Sequence, residues 1–512
     1  VRVWVAGARR KAARWARHWT RRWKAQPLHT RRTVRLVAAS GALGGVFAAG
    51  AIAVAGPWDS GQRTAERQTA ARADAAGGRT GDADHGSSDG APGDGLQGAG
   101  AGAPRVLTPL GPQEGTRPVS IPRPTGPGLA RELAPLLKDP ALGSPTTAAV
   151  WDVTTGRELY GERETTGVVP ASTVKLATGA AALAALGPDH RIPTASLAEG
   201  GEVFLVGGGD PTLSAKRLAG LARDTARELK KDGVRKVAVR YDATAYAGDV
   251  LHEIGRNENI APVTPLMVDE ARLDDSRHGP APRATDPARD AADAFARELR
   301  KAGVRVAGGP KAERVPEKAD ELAATYSAPL AELTERMLTY SDNDLGEALA
   351  RQTAIAVGRD ASFQGSGRAV AGQLKKLGLP VRGARFADGS GISRGNRVSA
   401  DLLARLLVTA ADPDHPELRS LLTGLPVAGF NGTLRDRYGD GGSDSGGTEA
   451  ARGAVRAKTG TLTGVNSLAG TVVDADGRLL AFAFFTMGAT DRAGAGDALD
   501  RMAAAVARCG CR

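Results

Sequence analysis

Three short motifs in the 512-residue sequence carry residue types suited to acyl transfer. The first is Ser172-Thr173-Val174-Lys175, where a spacing of three puts hydroxyl and amine on one helix face. A serine hydroxyl is a weak nucleophile at neutral pH, and a desolvated lysine of depressed pKa can take its proton. The second is Ser341-Asp342-Asn343, offering a hydroxyl to relay a proton and an amide to orient a substrate carbonyl. The third is Lys458-Thr459-Gly460-Thr461. There a second amine would keep Lys175 neutral by like-charge repulsion and attract an anionic substrate, while Gly460 lets backbone approach the ligand. Composition alone gives about 0.6, 0.25 and 0.13 chance matches to the three patterns, so each is weak by itself. All three in this order are expected by chance on the order of 0.003 times, so the combination is specific.

Other chemistries find little support. The seven histidines (His18, His29, His85, His190, His252, His278, His415) are scattered with no HExxH pair, so neither a metal nor a histidine triad is expected. Gly207-Gly208-Gly209 lacks a following GK[ST] and reads as a tight turn, and no cofactor is expected. Ser390 and Ser393 have no lysine at helical spacing and read as wall or turn residues. Cys509 and Cys511 fit free thiols, a local disulfide or an intermolecular link, and cannot form a core framework.

The elements that must position these residues follow from pattern. Pro170 opens an apolar helix over 172–186 that Gly187 closes. Residues 129–138 read as a helix and 148–160 as a hairpin turning at Thr154–Gly156. Near the other end, 454–459, 467–474 and 479–487 read as antiparallel strands, and 497–507 as a final helix. A sheet built from both ends of the chain, with helices between, is an α/β (α+β) enzyme core.

Taken with their surroundings, the motifs resemble the D-alanyl-D-alanine carboxypeptidase/endopeptidase type of penicillin-binding protein, the DacB or peptidase S13 family. The resemblance runs through Val169–Leu176, Leu205–Leu213 (LVGGGDPTL), Ser341–Asn343, Asp388–Arg394 (DGSGISR), Leu425–Gly429 with Gly432–Leu434, and Ala457–Thr461. It covers about residues 129–508, nearly all of the part expected to fold. It implies a serine β-lactamase/penicillin-binding-protein-like transpeptidase core, an antiparallel sheet flanked by helices, plus one inserted domain. It implies a serine DD-peptidase acting on peptidoglycan stem peptides, with β-lactams as inhibitors. Ser172 would attack the penultimate D-Ala carbonyl with Lys175 as base. Ser341 and Lys458 would return the proton to the leaving amine. Asn343 would hold the peptide, and Thr459 and Thr461 its terminal carboxylate. The N–H groups of Ser172 and Thr461 would form the oxyanion hole. Members of the family also cleave cross-links.

One departure stands out. Ser172 and Ser341 are 169 residues apart, room for one insert at about 198–310 where typical members carry two. A charged loop, Asp269–His278, replaces the second. A β-lactamase shares the three motifs but needs a fast deacylating base, and no Glu-x-x-x-Asn element follows Ser341. A non-catalytic wall-binding protein would not need the complete trio.

The remaining signals concern the amino-terminal part. The net charge of +11 suggests a nucleic-acid binder until its location is noted. Residues 1–35 hold twelve Lys or Arg and no acid, leaving the rest nearly balanced, so no nucleic-acid partner is expected. Leu36–Gly56 is uncharged for 21 residues, long enough to cross a bilayer of about 30 Å. Its glycines make it weakly apolar, and a cleaved signal peptide competes with an uncleaved anchor. The anchor reading gives a basic cytoplasmic segment (1–35), a transmembrane signal anchor (36–56) in the cytoplasmic membrane and an extracellular catalytic domain (128–512). Between them, 57–127 reads as a disordered linker, since Leu96 is the sole large aliphatic or Phe residue from Asp59 to Pro104.

Overall fold

The computed structural model describes residues 122–439 and 447–512. Helix α1 (Gly126–Leu136) opens it, with the Thr125 hydroxyl accepting the Gly128 N–H as a cap. Strands β1 (Thr146–Asp152) and β2 (Arg157–Glu162) form a hairpin. A short 3₁₀ turn (Ala171–Thr173) then leads into α2 (Val174–Leu186). The sequence pattern predicts a helix beginning at Ser172, but Ala171 adopts φ +48° and Ser172 sits in the turn ahead of the α-helix.

Next come β3 (Pro193–Glu199), β4 (Glu202–Gly207), α3 (Ala215–Lys231), β5 (Lys236–Asp242), α4 (Pro287–Lys301), β6 (Arg305–Ala312) and β7 (Asp320–Tyr326). These build a separate five-stranded sheet in the order β6-β5-β4-β3-β7. Its β4–β5–β6 run is parallel, which requires the crossover helices α3 and α4. The apolar stripes of those helices close their own core around Leu221, Leu229, Phe295 and Leu299. The insert expected at about 198–310 falls within this span.

The chain returns through α5 (Leu330–Tyr340), α6 (Asn343–Ala356), α7 (Phe363–Lys376), α8 (Ala400–Ala411) and the single turn α9 (Ser420–Thr423). It ends with β8 (Val455–Leu462), β9 (Val465–Val473), β10 (Leu479–Met487) and α10 (Arg492–Arg508). The main sheet, β2-β1-β10-β9-β8, is antiparallel throughout. Successive side chains of a strand face opposite ways, and β10 divides accordingly. Ala481, Ala483 and Phe485 pack toward α2, α6 and α8, while Leu480, Phe482 and Phe484 pack toward α1 and α10. Burial on both faces explains the unbroken apolar run of β10. Helix α2 is buried from Val174 to Leu183, all round its circumference, which its many alanines permit.

Among the described residues no helix is long and apolar enough to cross a membrane. The apolar helix α2, at 13 residues, reaches only about 20 Å. This finding overturns the single-pass reading, with its cytoplasmic amino terminus, spanning helix at 36–56 and extracellular catalytic domain. Residues 1–35, 36–56 and most of 57–127 lie outside the described residues. Cys509 and Cys511, for which three states were open, form a disulfide.

Candidate active site

The turn bearing Ser172 is fastened from below. The Pro170 carbonyl accepts from the Thr173 hydroxyl at 2.7 Å and from Ser467 Oγ on β9 at 2.7 Å. Strand β8 can lie directly against it because position 460 is glycine. A Cβ on Gly460 would stand 2.2 Å from Ser467 Oγ, 2.7 Å from the Pro170 oxygen and 3.0 Å from the Ser172 nitrogen. The sequence assigns this glycine to close approach of ligand; in the structure it admits the turn that carries Ser172. On the opposite side, a Cβ on Gly391 would meet the Ala171 oxygen at 2.1 Å.

Lys175, in the first turn of α2, is completely buried. Its Nζ lies 3.1 Å from Ser172 Oγ, 2.7 Å from Asn343 Oδ1 and 2.5 Å from the Ser390 carbonyl oxygen. Asn343 opens α6, and its Nδ2 donates to the Asn259 carbonyl at 2.9 Å, which fixes the amide with its oxygen toward the lysine. Burial lowers Lys175 from the ordinary 10.5 to about 8, against the charges of Asp388, Asp342, Glu347 and Asp344, which raise it. Lys458 on β8 is equally buried, and its Nζ donates to the Thr459 carbonyl at 2.6 Å. Burial first, and the Lys175 charge second, hold Lys458 well below the usual lysine range. The repulsion invoked to explain Lys175 therefore acts on Lys458, while desolvation is what depresses Lys175.

Ser172, Ser341, Asn343 and Thr461 line one open cleft of about 1010 Å³, walled also by Arg272, Arg283 and Arg394. Ser341 caps α5 in the left-handed region, φ +58°, an unfavourable conformation for a serine that turns the chain sharply into α6. Thr459 Oγ1 is 2.8 Å from Thr433 Oγ1, and neither residue is part of the cleft lining. The structure thus brings Ser172, Asn343 and the Ser390 carbonyl into contact with Lys175 and places Ser341 and Thr461 in the lining of the same cleft.

Further residues bracket the loop that carries the Ser390 carbonyl. Asp388, at the head of the DGSGISR stretch, accepts at Oδ1 from Gly391 N and Asn396 Nδ2. Its Oδ2 accepts from Ser393 N, Ser390 Oγ and His252 Nε2. Glu347 Oε1 accepts from Gly389 N at 3.0 Å and Ser390 N at 2.9 Å. Asp-Gly-Ser-Gly is a turn in which a carboxylate captures following N–H groups, and Glu347 stands one helical turn after Asn343, so both were readable signals. His252 lies 136 residues from Asp388, and nothing in the sequence links them.

His252, Glu347 and Asp388 come within metal-ligand distance of one another. Both Asp388 oxygens are already engaged by N–H and O–H donors, which suits a structural anchor rather than a cation ligand. The second acidic group, Glu270, Asp342 and Asp344, is met by Arg272 and Arg336 at Glu270, Arg336 at Asp342 and Arg283 at Asp344.

A family model described as the D-Ala-D-Ala carboxypeptidase 3 (S13) family matches residues 129–278 and 274–509. The chain belongs to this family. Among its S13 relatives is carboxypeptidase DacB of Mycolicibacterium smegmatis, 38% identical over 438 residues, 81% of this chain and 91% of that one. A D-alanyl-D-alanine carboxypeptidase of Actinomadura sp. is 32% identical over 443 residues, covering 69% and 79% of the two chains. The crystal structure of penicillin binding protein 4 from Haemophilus influenzae superposes with a TM-score of 0.60 at 24% identity, covering 73% and 97%. At that identity the superposition speaks to the S13 fold alone.

Proposed function

We propose that this chain is a serine-type D-Ala-D-Ala carboxypeptidase that trims peptidoglycan stem peptides through an acyl-enzyme on Ser172. Membership of the S13 family supports the activity. The observation that carries the residue assignment is the fully buried Lys175 amine, 3.1 Å from Ser172 Oγ and depressed to about 8.

Lys175 takes the hydroxyl proton as Ser172 Oγ bonds to the penultimate D-Ala carbonyl carbon. The N–H groups of Ser172 and Thr461 receive the oxyanion, at the amino-terminal end of α2 where the helix dipole favours negative charge. Collapse breaks the C–N bond, the proton passes through Ser341 and Lys458 to the leaving amine, and D-Ala departs. Thr459 and Thr461 hold the terminal carboxylate, and Asn343 the peptide. Water then cleaves the ester, with Lys175 accepting its proton and Ser172 recovering one. A β-lactam enters the first half of this cycle and leaves a lasting ester.

Intact-mass measurement after exposure to benzylpenicillin should find one adduct on Ser172. Release of D-Ala from a D-Ala-D-Ala peptide should fall by at least about a thousandfold in Lys175→Ala. Labelling that persists in Ser172→Ala would refute the assignment.

A further inference from the structure

A neutral amine has two N–H groups and one lone pair. Around Lys175 Nζ stand two fixed oxygens, Asn343 Oδ1 at 2.7 Å and the Ser390 carbonyl at 2.5 Å. With one N–H on each, the lone pair is left facing Ser172 Oγ, whose hydroxyl then donates to it. The direction of the base therefore depends on where the Ser390 carbonyl is held as much as on Asn343.

That carbonyl belongs to a loop gripped from three elements. Glu347 on α6 accepts the N–H groups of Gly389 and Ser390, just before the carbonyl. Asp388 accepts those of Gly391 and Ser393, just after it. Asp388 is in turn held at 2.9 Å by His252 Nε2, which comes from the β5–α4 connection in the inserted part. The Ile254 N–H donates to His252 Nδ1 at 3.3 Å, so the neutral ring carries its proton on Nε2, toward Asp388. Phe363 of α7 meets the imidazole edge-on, with centroids 5.5 Å apart. The charged groups facing this pair are Glu347, Glu253 and, beside Glu347, Arg351. All of these contacts lie behind the cleft wall, where His252 and Asp388 are 4% exposed.

We propose that His252, Asp388 and Glu347 are positioning residues for the reaction: they fix the Ser390 carbonyl so that it takes one N–H of Lys175 and aims the lone pair at Ser172. This rests on Ser172 and Lys175 acting as nucleophile and base. The insert then contributes to the chemistry through a buried imidazole as well as through the Asn259 carbonyl that orients Asn343.

The test uses the full chain and measures D-Ala release from a D-Ala-D-Ala peptide, with acylation by benzylpenicillin in parallel. His252→Ala should lower kcat by about tenfold to a hundredfold while KM stays within about twofold, the pattern of a misaimed base rather than a damaged cleft. His252→Gln, which keeps a donor for Asp388, should recover most of that loss. An unchanged kcat in His252→Ala, or no recovery in His252→Gln, overturns the proposal. If His252→Ala does not fold, Glu347 decides. Glu347→Ala releases the Gly389 and Ser390 N–H groups and should lower kcat by about tenfold or more with KM within about twofold, whereas Glu347→Gln, whose amide oxygen can keep them, should recover most of that loss. An unchanged kcat in Glu347→Ala, or no recovery in Glu347→Gln, overturns the proposal. Wild-type protein that forms no penicilloyl adduct and releases no D-Ala would instead overturn the functional reading.

Discussion

A lysine works as a base only while neutral, and the surroundings of Lys175 set how often that is so. Burial lowers its pKa from 10.5 to about 8, with Asp388, Asp342, Glu347 and Asp344 limiting the fall. At pH 7 roughly one molecule in ten then carries the free amine, against fewer than about one in a thousand for an unshifted lysine. The sign is that of a base: the acylation rate should climb with pH through about 8 and level off above it. Stopped-flow acylation by benzylpenicillin between about pH 6 and 10 checks this, and a flat profile would remove Lys175 from the role. Burial, and then the facing Lys175 charge, hold Lys458 well below the usual lysine range. Ser172-x-x-Lys175 pairing was readable from spacing alone. The third partner of the amine, a main-chain carbonyl from residue 390, was not, because a backbone oxygen leaves no mark in a sequence.

Between residues and fold lies the junction of α5 and α6, where Ser341 takes φ +58° so that Asp342 can cap α6 by accepting the Leu345 N–H at 3.0 Å. Two substitutions separate the hydroxyl from the backbone there. Ser341→Ala and Ser341→Gly should both reduce D-Ala release, since each deletes the hydroxyl proposed to relay the proton. Ser341→Gly should be about 1 kcal/mol more stable than Ser341→Ala in urea unfolding, because glycine adopts the left-handed turn without steric cost. Equal stabilities would mean that the turn relaxes in the variants. The regular elements were mostly legible: the β8, β9 and β10 patterns, the 148–160 hairpin and the buried helix after Pro170 follow from periodicity and punctuation. Ser172 escaped the helix assigned to it because Pro170 and Ala171 form a tight turn that propensity does not reveal. The mixed sheet around β3 to β7 was not legible beyond a stretch long enough for an insert, since its strand order depends on crossovers between distant segments.

At the scale of the molecule, the main sheet has a core on each face, and the second one is closed by the two extremities of the described fold. Helix α10 packs over β9 and against α1, and the tail beyond it folds back onto the start of α1. There the Thr125 N–H donates to the Cys511 carbonyl at 2.9 Å, and Arg131 donates to the Arg512 oxygen at 2.6 Å. Cys509, 2% exposed, fills the floor beneath. None of this reaches Ser172 or Lys175, which take their packing from the core on the opposite face. The two faces therefore separate stability from chemistry. Deleting residues 509–512 removes the tail's hydrogen bonds to Thr125, Arg131 and Asp476, its backbone bonds to the end of α10 and one buried side chain, a loss of about 2–4 kcal/mol. Thermal unfolding should shift down by several degrees, while D-Ala release measured at 25 °C, well below that transition, should stay within about twofold of the full chain. A collapse of kcat in a truncated protein that still melts cooperatively would show that the α1–α10 face is coupled to the cleft through β9, which contributes to both cores and whose Ser467 holds the turn carrying Ser172.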